Sequence, residues 1–372
     1  MTRPPHRIRV VVVDDSVVIR RLVKDVLADD PSIDVVGVAE NGEIALIKIA
    51  ELNPDAVTMD IEMPKMNGIE AVRELRKTHP RLPIVMFSTL TERGAAATLD
   101  ALAAGASDYV TKPANVGSVA ESRQNIRDQL IPKLLALTAA RRLVVKAAPP
   151  APRPAQAPVR TPRATPFAVL AIGCSTGGPD ALATVLGGLP RDIAVPVVVV
   201  QHMPPLFTRM LAQRLDGSSP LEVREAAEGD PLVPGTVLVA PGGRHLALRR
   251  TAAGAAVQLN DDPPENFCRP AVDVMFRSVT SVYRDRTLAL VLTGMGRDGA
   301  LGAKVVRDAG GEVFVQDEQT SVVWGMPGAV VSAGHADRVL PLGDVARDLA
   351  AVLGRRNATQ GATPGGSPGV VR

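Results

Sequence analysis

Aromatic side chains are nearly missing from this chain: one Trp, two Tyr and six Phe stand among 372 residues. Single-stranded nucleic-acid binding, which relies on aromatic stacking platforms, loses its main device. The cores must be built from Val, Leu, Ala and Ile. At 46% hydrophobic and 22% charged residues, the chain has the apolar material to do so. Cysteine is as scarce. Cys174 and Cys268 form neither a metal-ligand spacing nor a disulfide framework, which suits a reducing cytoplasm. No apolar stretch approaches the length of a membrane span. The N-terminus carries Arg and Pro and then a short apolar run broken by Asp14 and Asp15, so no signal peptide is expected. A membrane-borne partner is therefore expected to be met from the cytoplasmic side, without insertion.

The net charge of +3 misleads. Arg141, Arg142, Lys146, Arg153, Arg160 and Arg163 cluster in one acid-free stretch, and without them 36 basic residues face 39 acidic ones. The basic character lies in a tether, not on a folded face, and a nucleic-acid partner is not expected.

The length accommodates two ordinary domains. Residues 8 to about 113 alternate between strand-like runs (8–13, 33–38, 56–59, 83–87 and 107–110) and helical patterns. In the first helix Ile19, Leu22, Val23 and Val26 recur at three- and four-residue spacing. Five strands with short crossovers imply a parallel, doubly wound sheet. Residues 115–138 continue as a last helix. Residues 142–166, with seven prolines and no helical periodicity, read as an extended linker. A second α/β pattern follows, with strands expected at 167–172, 196–200, 236–240, 287–292 and 312–315, and helices at 179–186, 206–215, 271–282 and 300–308. Residues 355–372 read as a disordered tail.

Functional groups of a parallel α/β sheet gather at the carboxyl ends of its strands. Asp14 and Asp15 end the first strand and Asp60 the third; Ser88 follows the fourth and Lys112 the fifth. Three carboxylates at one edge repel each other unless a cation sits among them, and such oxygen ligands suit Mg²⁺. A lysine and a hydroxyl complete a site for a phosphoryl group, and a carboxylate can itself be the nucleophile that accepts it. Any one of these acids could merely cap a helix; five suitable residues at four strand ends are not explained that way. Together with Met63-Pro64, Gly68 and Lys112-Pro113, these residues resemble the response-regulator receiver domain over roughly the first 120 positions. The resemblance implies a flavodoxin-like fold, phosphorylation of Asp60 by a histidine kinase, and Mg²⁺ held by Asp14, Asp15 and Asp60. It also implies Lys112 pairing with the phosphoryl group, Ser88 as the switch hydroxyl and Tyr109 as the switch aromatic.

In the second half, Gly173-Cys174-Ser175-Thr176-Gly177-Gly178 joins a buried strand to a helix and fits the G-x-S-x-G form of a nucleophile elbow. A phosphate-cradling dinucleotide loop is the competing reading. The G-x-G-x-x-G spacing is absent, because residue 175 is Ser, and the next strand ends in Gln201-His202 where that fold places a ribose-binding acid. A serine needs a base. Of five histidines, only His202 stands at the end of the strand next in order, on the same edge as Ser175; His6, His79, His245 and His335 lie elsewhere. Asp298, in the glycine-rich turn 294–299, and Asp317, after the following strand, both qualify as the orienting acid. Asp273 reads as structural. The order Ser, His, Asp differs from that of common α/β-hydrolases.

These segments, with Gln201-His202-Met203-Pro204, Arg269-Pro270 and Val272-Asp273, resemble the chemotaxis protein-glutamate methylesterase family over about 167–354. That resemblance implies a Rossmann-like, mostly parallel sheet. It makes Ser175 the nucleophile, His202 the base and Asp298 the acid, with Thr176 and the Met295 amide near the centre and no cofactor for hydrolysis. The expected substrates are glutamyl methyl esters, and glutamines, on chemotaxis receptors. Cys174 stands where a small residue such as Ala is usual, and Cys268 where His is expected. The expected division is a receiver over 1–125, a terminal helix and linker over 126–166, a catalytic domain over 167–354 and the tail. A receiver-controlled esterase for another substrate and an inactive adaptor are the alternatives. A transcriptional regulator would need a helix-turn-helix that the second half does not offer.

Overall fold

A computed structural model describes residues 7–112, 118–146 and 165–354. The tail, most of the linker, His6 and Pro113 lie outside the described residues.

The first domain runs β1 (Ile8–Val13), α1 (Val17–Ala28), β2 (Ile33–Ala39), α2 (Gly42–Leu52), β3 (Ala56–Asp60), α3 (Gly68–Thr78), β4 (Ile84–Ser88), α4 (Glu92–Ala103), β5 (Asp108–Thr111) and α5 (Val119–Lys146). The sheet order is β2-β1-β3-β4-β5, parallel throughout. β3 and β4 are buried along their whole length, as strands covered by helices on both faces must be. Ser16 caps α1 by accepting from the Ile19 amide, which leaves the neighbouring Asp15 uncommitted to capping.

α5 differs from the sequence expectation. It reaches Lys146, across a stretch expected to be linker. No Gly or Pro interrupts residues 133–146, and extending a formed helix costs far less than starting one.

The second domain runs β6 (Val169–Cys174), α6 (Gly178–Gly188), β7 (Val197–Gln201), α7 (Phe207–Ser218), β8 (Glu222–Glu225), β9 (Thr236–Val239), β10 (His245–Thr251), β11 (Gly254–Asn260), α8 (Val272–Tyr283), β12 (Thr287–Val291), α9 (Ala300–Asp308), β13 (Glu312–Gln316), α10 (Met326–Ser332), β14 (Arg338–Leu340) and α11 (Leu342–Leu353). Seven parallel strands lie in the order β14-β13-β12-β6-β7-β9-β8, with β10-β11 as a separate antiparallel hairpin. The order reverses beside β6, so the crevice at its carboxyl end is the expected binding place. No helix among the described residues is long and apolar enough to cross a membrane.

The two domains touch through the α4–β5–α5 side of the first and α6–α7 of the second. Tyr109 stacks on Phe207 with ring centroids 5.0 Å apart and planes 4° from parallel. Arg209–Glu92 and Arg214–Asp100 ion pairs, at 2.5 and 2.7 Å, flank the stack. Both pairs are exposed and add little; the buried ring pair contributes more to holding the domains together.

Candidate functional site

At the carboxyl edge of the first sheet, Lys112 Nζ lies 2.7 Å from Asp60 Oδ2 and 3.3 Å from Asp14 Oδ2. The Asp60 Oδ1 accepts from the Ile61 amide at 2.7 Å. Burial pushes the Asp60 carboxyl up to about 6, with the Asp14 charge adding to the rise and Lys112 opposing it. Asp14 is raised as well, again by burial first. Carboxylate oxygens of Asp14, Asp15 and Asp60 lie within 4.8 Å of one another. The Asp14 Oδ2 is buried and receives no aligned hydrogen bond. An oxygen-only cluster with an undonated lone pair fits a hard cation such as Mg²⁺. Ser88 is turned into the domain: Thr98 donates to its hydroxyl at 2.5 Å and it donates to the Gly94 carbonyl at 3.1 Å. Tyr109 is buried in the domain contact.

In the second domain, β6 delivers Ser175 to the crevice. Gly177 turns the chain at φ +76°, a conformation open to glycine. The Gln201 side-chain amide donates to the Ser175 carbonyl at 3.0 Å and braces the turn. Gly294 comes so near that a Cβ there would lie 2.9 Å from that of Ser175. The Gly178 amide, at the start of α6, bonds back to the Ser175 carbonyl at 2.8 Å and closes the turn.

His202 follows β7, its amide bonded to the Cys174 carbonyl at 3.1 Å. Its Nε2 meets Asp298 Oδ2 at 2.8 Å. Asp298 is buried and anchored: it accepts from the Val272 amide at 2.7 Å and from the Asp273 and Gly299 amides at 3.0 Å each. The Asn266 side-chain amide adds a fourth bond, also at 3.0 Å. Burial favours the neutral acid, but His202 and these amides at the start of α8 outweigh it and hold the carboxyl below its usual range. Burial likewise disfavours a charged imidazole, yet the Asp298 bond, followed by Cys268, lifts His202 to about 9. Among the described residues the Ser175 hydroxyl has no hydrogen bond; Ser175 and His202 share one cavity.

Asp317, the other acid suggested by the sequence, binds the Thr320 amide at 3.0 Å and stays in its own loop. Asp273 accepts from Asn266 and from the Gly302 amide, a structural role. His245 is buried between the Pro263 carbonyl and the Ala271 amide. Cys174 is wholly buried and burial pushes its thiol up. The Met295 side chain packs against the apolar cluster that joins the first domain's core to Val323. Asn266, Gln201 and Asp108 were not foreseen as site residues. Their contacts join segments 26 to 68 residues apart, and no local pattern records them.

Asp108 is the link between the two centres. It stands at the start of β5 and accepts from the Thr176 hydroxyl at 2.5 Å. The first domain therefore lies over the Ser175 crevice. Leu102, Asp108 and Tyr109 wall the cavity from one side and Ser175, Thr176 and His202 from the other, leaving about 20 Å³. That is room for one water.

Residues 170–349 match the family described as CheB methylesterase, and residues 10–122 match the response regulator receiver domain. A protein-glutamate methylesterase/protein-glutamine glutaminase of Nocardioides sp. is 56% identical over 354 residues, 94% of this chain and 96% of that one. A protein of the same description from Trichodesmium erythraeum is 45% identical, over 94% of this chain and 99% of its own. The crystal structure of the Thermotoga maritima CheB methylesterase catalytic domain is 43% identical and covers 50% of this chain and 98% of its own, with a TM-score of 0.49. The response regulator domain of Thermotoga maritima CheB is 42% identical over 36% of this chain and 98% of its own, with a TM-score of 0.33. With both halves matched in the same order, and relatives sharing nearly the whole length, the chain belongs to the protein-glutamate methylesterase/protein-glutamine glutaminase family.

Proposed function

We propose that this chain is a phosphorylation-activated serine hydrolase that acts from the cytoplasm on chemotaxis receptors. It demethylates glutamyl methyl esters, releasing methanol, and deamidates glutamines, releasing ammonia. The observation that carries the reading is the His202–Asp298 pair at 2.8 Å, facing Ser175 across one crevice. With Nε2 committed to Asp298, Nδ1 is the nitrogen left to take the Ser175 proton. Ser175 Oγ attacks the ester carbonyl, and the new oxyanion is met by the Met295 amide, with Thr176 beside it. His202 then protonates the leaving methoxide. Water, activated by the same nitrogen, resolves the acyl-enzyme. One oxyanion donor contributes about 3 kcal/mol.

Asp60 is the phosphoryl acceptor from a histidine kinase, Lys112 pairs with the transferred group, and Ser88 and Tyr109 are the switch residues. Asp14, Asp15 and Asp60 would hold Mg²⁺, which neutralises charge during transfer when bound. The receiver occupies about 1–125. The rest of α5 and the tether, to 166, precede a catalytic domain of 167–354 and a tail of 355–372. Thr165 and Pro166 bond Asp285 and Arg286 of the catalytic domain. Unphosphorylated, the receiver excludes substrate, because a space of about 20 Å³ admits no glutamyl side chain.

Methanol release from methylated receptor membranes, with a small phosphodonor present, tests this reading. Ser175→Ala should abolish turnover in a folded protein. Turnover near the wild-type rate would remove the serine mechanism, and wild-type hydrolysis of other esters but not of receptors would favour a different substrate.

A further inference from the structure

Cys268 sits beside the catalytic histidine without a part in hydrolysis. Its Sγ lies 3.5 Å from His202 Nδ1, and His202, Cys268 and Asp298 each offer a ligand atom within 4.8 Å of the others. We propose that Cys268 and His202 form a binding site for a borderline-soft divalent cation, Zn²⁺ above all, and that its occupation switches the hydrolase off.

The spacing is that of a tetrahedral site before the metal enters. Zn–S and Zn–N bonds of about 2.3 and 2.0–2.1 Å, opened at the tetrahedral angle, place S and N roughly 3.5 Å apart. The observed separation needs no movement. The ring is also oriented for it. Nε2 is turned to Asp298 at 2.8 Å, so Nδ1 faces the sulfur and offers its lone pair once its proton is displaced. A ligating imidazole backed by a carboxylate is the usual outer arrangement of zinc sites.

Both ligands are held in advance. Asp298 is fixed by four donors. Cys268 closes a tight turn through paired backbone bonds with Glu265, at 2.9 and 3.1 Å, and Glu265 is itself clamped by Arg277. The Cys268 thiol proton and the His202 Nδ1 proton leave to solvent as the cation binds, and water fills the remaining positions. Thiolate plus imidazole selects zinc over magnesium, whereas the all-oxygen cluster of Asp14, Asp15 and Asp60 selects the reverse. The two sites therefore discriminate between cations. The loss of turnover rests on the proposed role of His202, since a cation on Nδ1 removes the lone pair that takes the Ser175 proton; the binding itself does not rest on it.

Co²⁺ is the optical probe. Titrated into full-length protein with excess Mg²⁺, it should produce a thiolate-to-cobalt charge-transfer band saturating at one equivalent. Cys174 is wholly buried with its thiol pushed up, so the band reports Cys268. The band should vanish in Cys268→Ala and persist in Ser175→Ala. In the phosphodonor-activated enzyme Zn²⁺ should lower methanol release at least about tenfold, a chelator should restore it, and Cys268→Ser should raise the zinc needed by about tenfold or more. No band in the wild type, or equal zinc sensitivity in wild type and Cys268→Ser, overturns the proposal. A Cys268-dependent band in a protein that releases no methanol, with or without metal, would sustain the site and sink the hydrolytic reading instead.

Discussion

Asp108→Ala is the sharpest test of how the receiver holds the hydrolase shut. In the docked state Asp108 accepts from the buried Thr176 hydroxyl at 2.5 Å. It also accepts from Lys133 at 2.8 Å and from the Tyr109 amide at 2.7 Å. Those two bonds lie inside the receiver, so losing them affects the docked and undocked states alike and cancels from the docking equilibrium. The Thr176 bond does not cancel. A hydrogen bond to a charged group contributes about 1.5–3 kcal/mol, so docking should weaken about 10- to 150-fold. The unphosphorylated rate of methanol release should rise by that factor, up to the ceiling set by the phosphorylated enzyme. Asp108→Asn keeps an acceptor and should rise less. The assay is methanol release from receptor membranes without phosphodonor, with thermal unfolding as a check that the receiver is intact. A folded Asp108→Ala protein whose basal rate stays within about twofold of wild type would refute the latch, because the smallest expected effect is about tenfold.

Four further outcomes follow from the same geometry. Asp298→Asn should lower kcat by roughly four orders of magnitude, as in the Ser-His-Asp template. Asp317→Asn, whose carboxylate only braces Thr320, should stay within a few fold in the same assay. His202 is lifted to about 9 against an ordinary 6.5. Its bond to Asp298 therefore stabilises the fold fully below about pH 6.5 and is lost as pH rises through 9, while base catalysis grows over the same interval. Unfolding temperature and kcat/KM against pH should show the two opposite trends, and Asp298→Asn should flatten the first. Asp60→Asn should hold the basal rate when phosphodonor is added, and radiolabel from phosphodonor should not appear on it. Phe267 is fully exposed at φ +63°, a left-handed conformation that suits glycine. Phe267→Gly should stabilise the catalytic domain by up to about 1 kcal/mol, read from urea unfolding.

Strand-end chemistry was the legible part of this sequence. In a parallel sheet the residue after a buried apolar run has one place to go, so Asp14, Asp60, Lys112, Ser175 and His202 could be put on their edges from the pattern alone. The choice between Asp298 and Asp317 was not legible, because it depends on α8. The Val272 and Asp273 amides that draw the Asp298 carboxylate under His202 come from a helix start 25 and 26 residues upstream. The β10–β11 hairpin escaped notice for a local reason. Its apolar positions, Leu246 and Leu248, alternate for only a few residues before Arg249 and Arg250 break the pattern. Short β8 and β14 carry still less signal, at four and three residues. The extension of α5 shows the converse error: composition counted Arg141–Lys146 with the proline-rich stretch that follows, although helix propagation depends on the residues before it.

The position of the proposed latch suggests how a phosphoryl group on Asp60 would reach a serine in another domain. β5 has four residues. Lys112, just past its end, is the cation that pairs with Asp60 at 2.7 Å. Asp108 and Tyr109, at its start, are the groups that hold Thr176 and Phe207. At about 3.3 Å per residue the sensing and latching ends are separated by roughly 13 Å of rigid, hydrogen-bonded strand. α4 also carries contacts of both kinds. Its Thr98 bonds the Ser88 hydroxyl at 2.5 Å, while its Glu92 and Asp100 pair with Arg209 and Arg214 of α7. On the proposed roles, a new anion on Asp60 would draw Lys112 and Ser88 toward itself, and both are fastened to elements whose other contacts lie in the domain interface. On the proposed assignment, a phosphoryl group on Asp60 would act by shifting β5 and α4, and a shift that leaves α7 in place would break the ring stack or the Asp108–Thr176 bond.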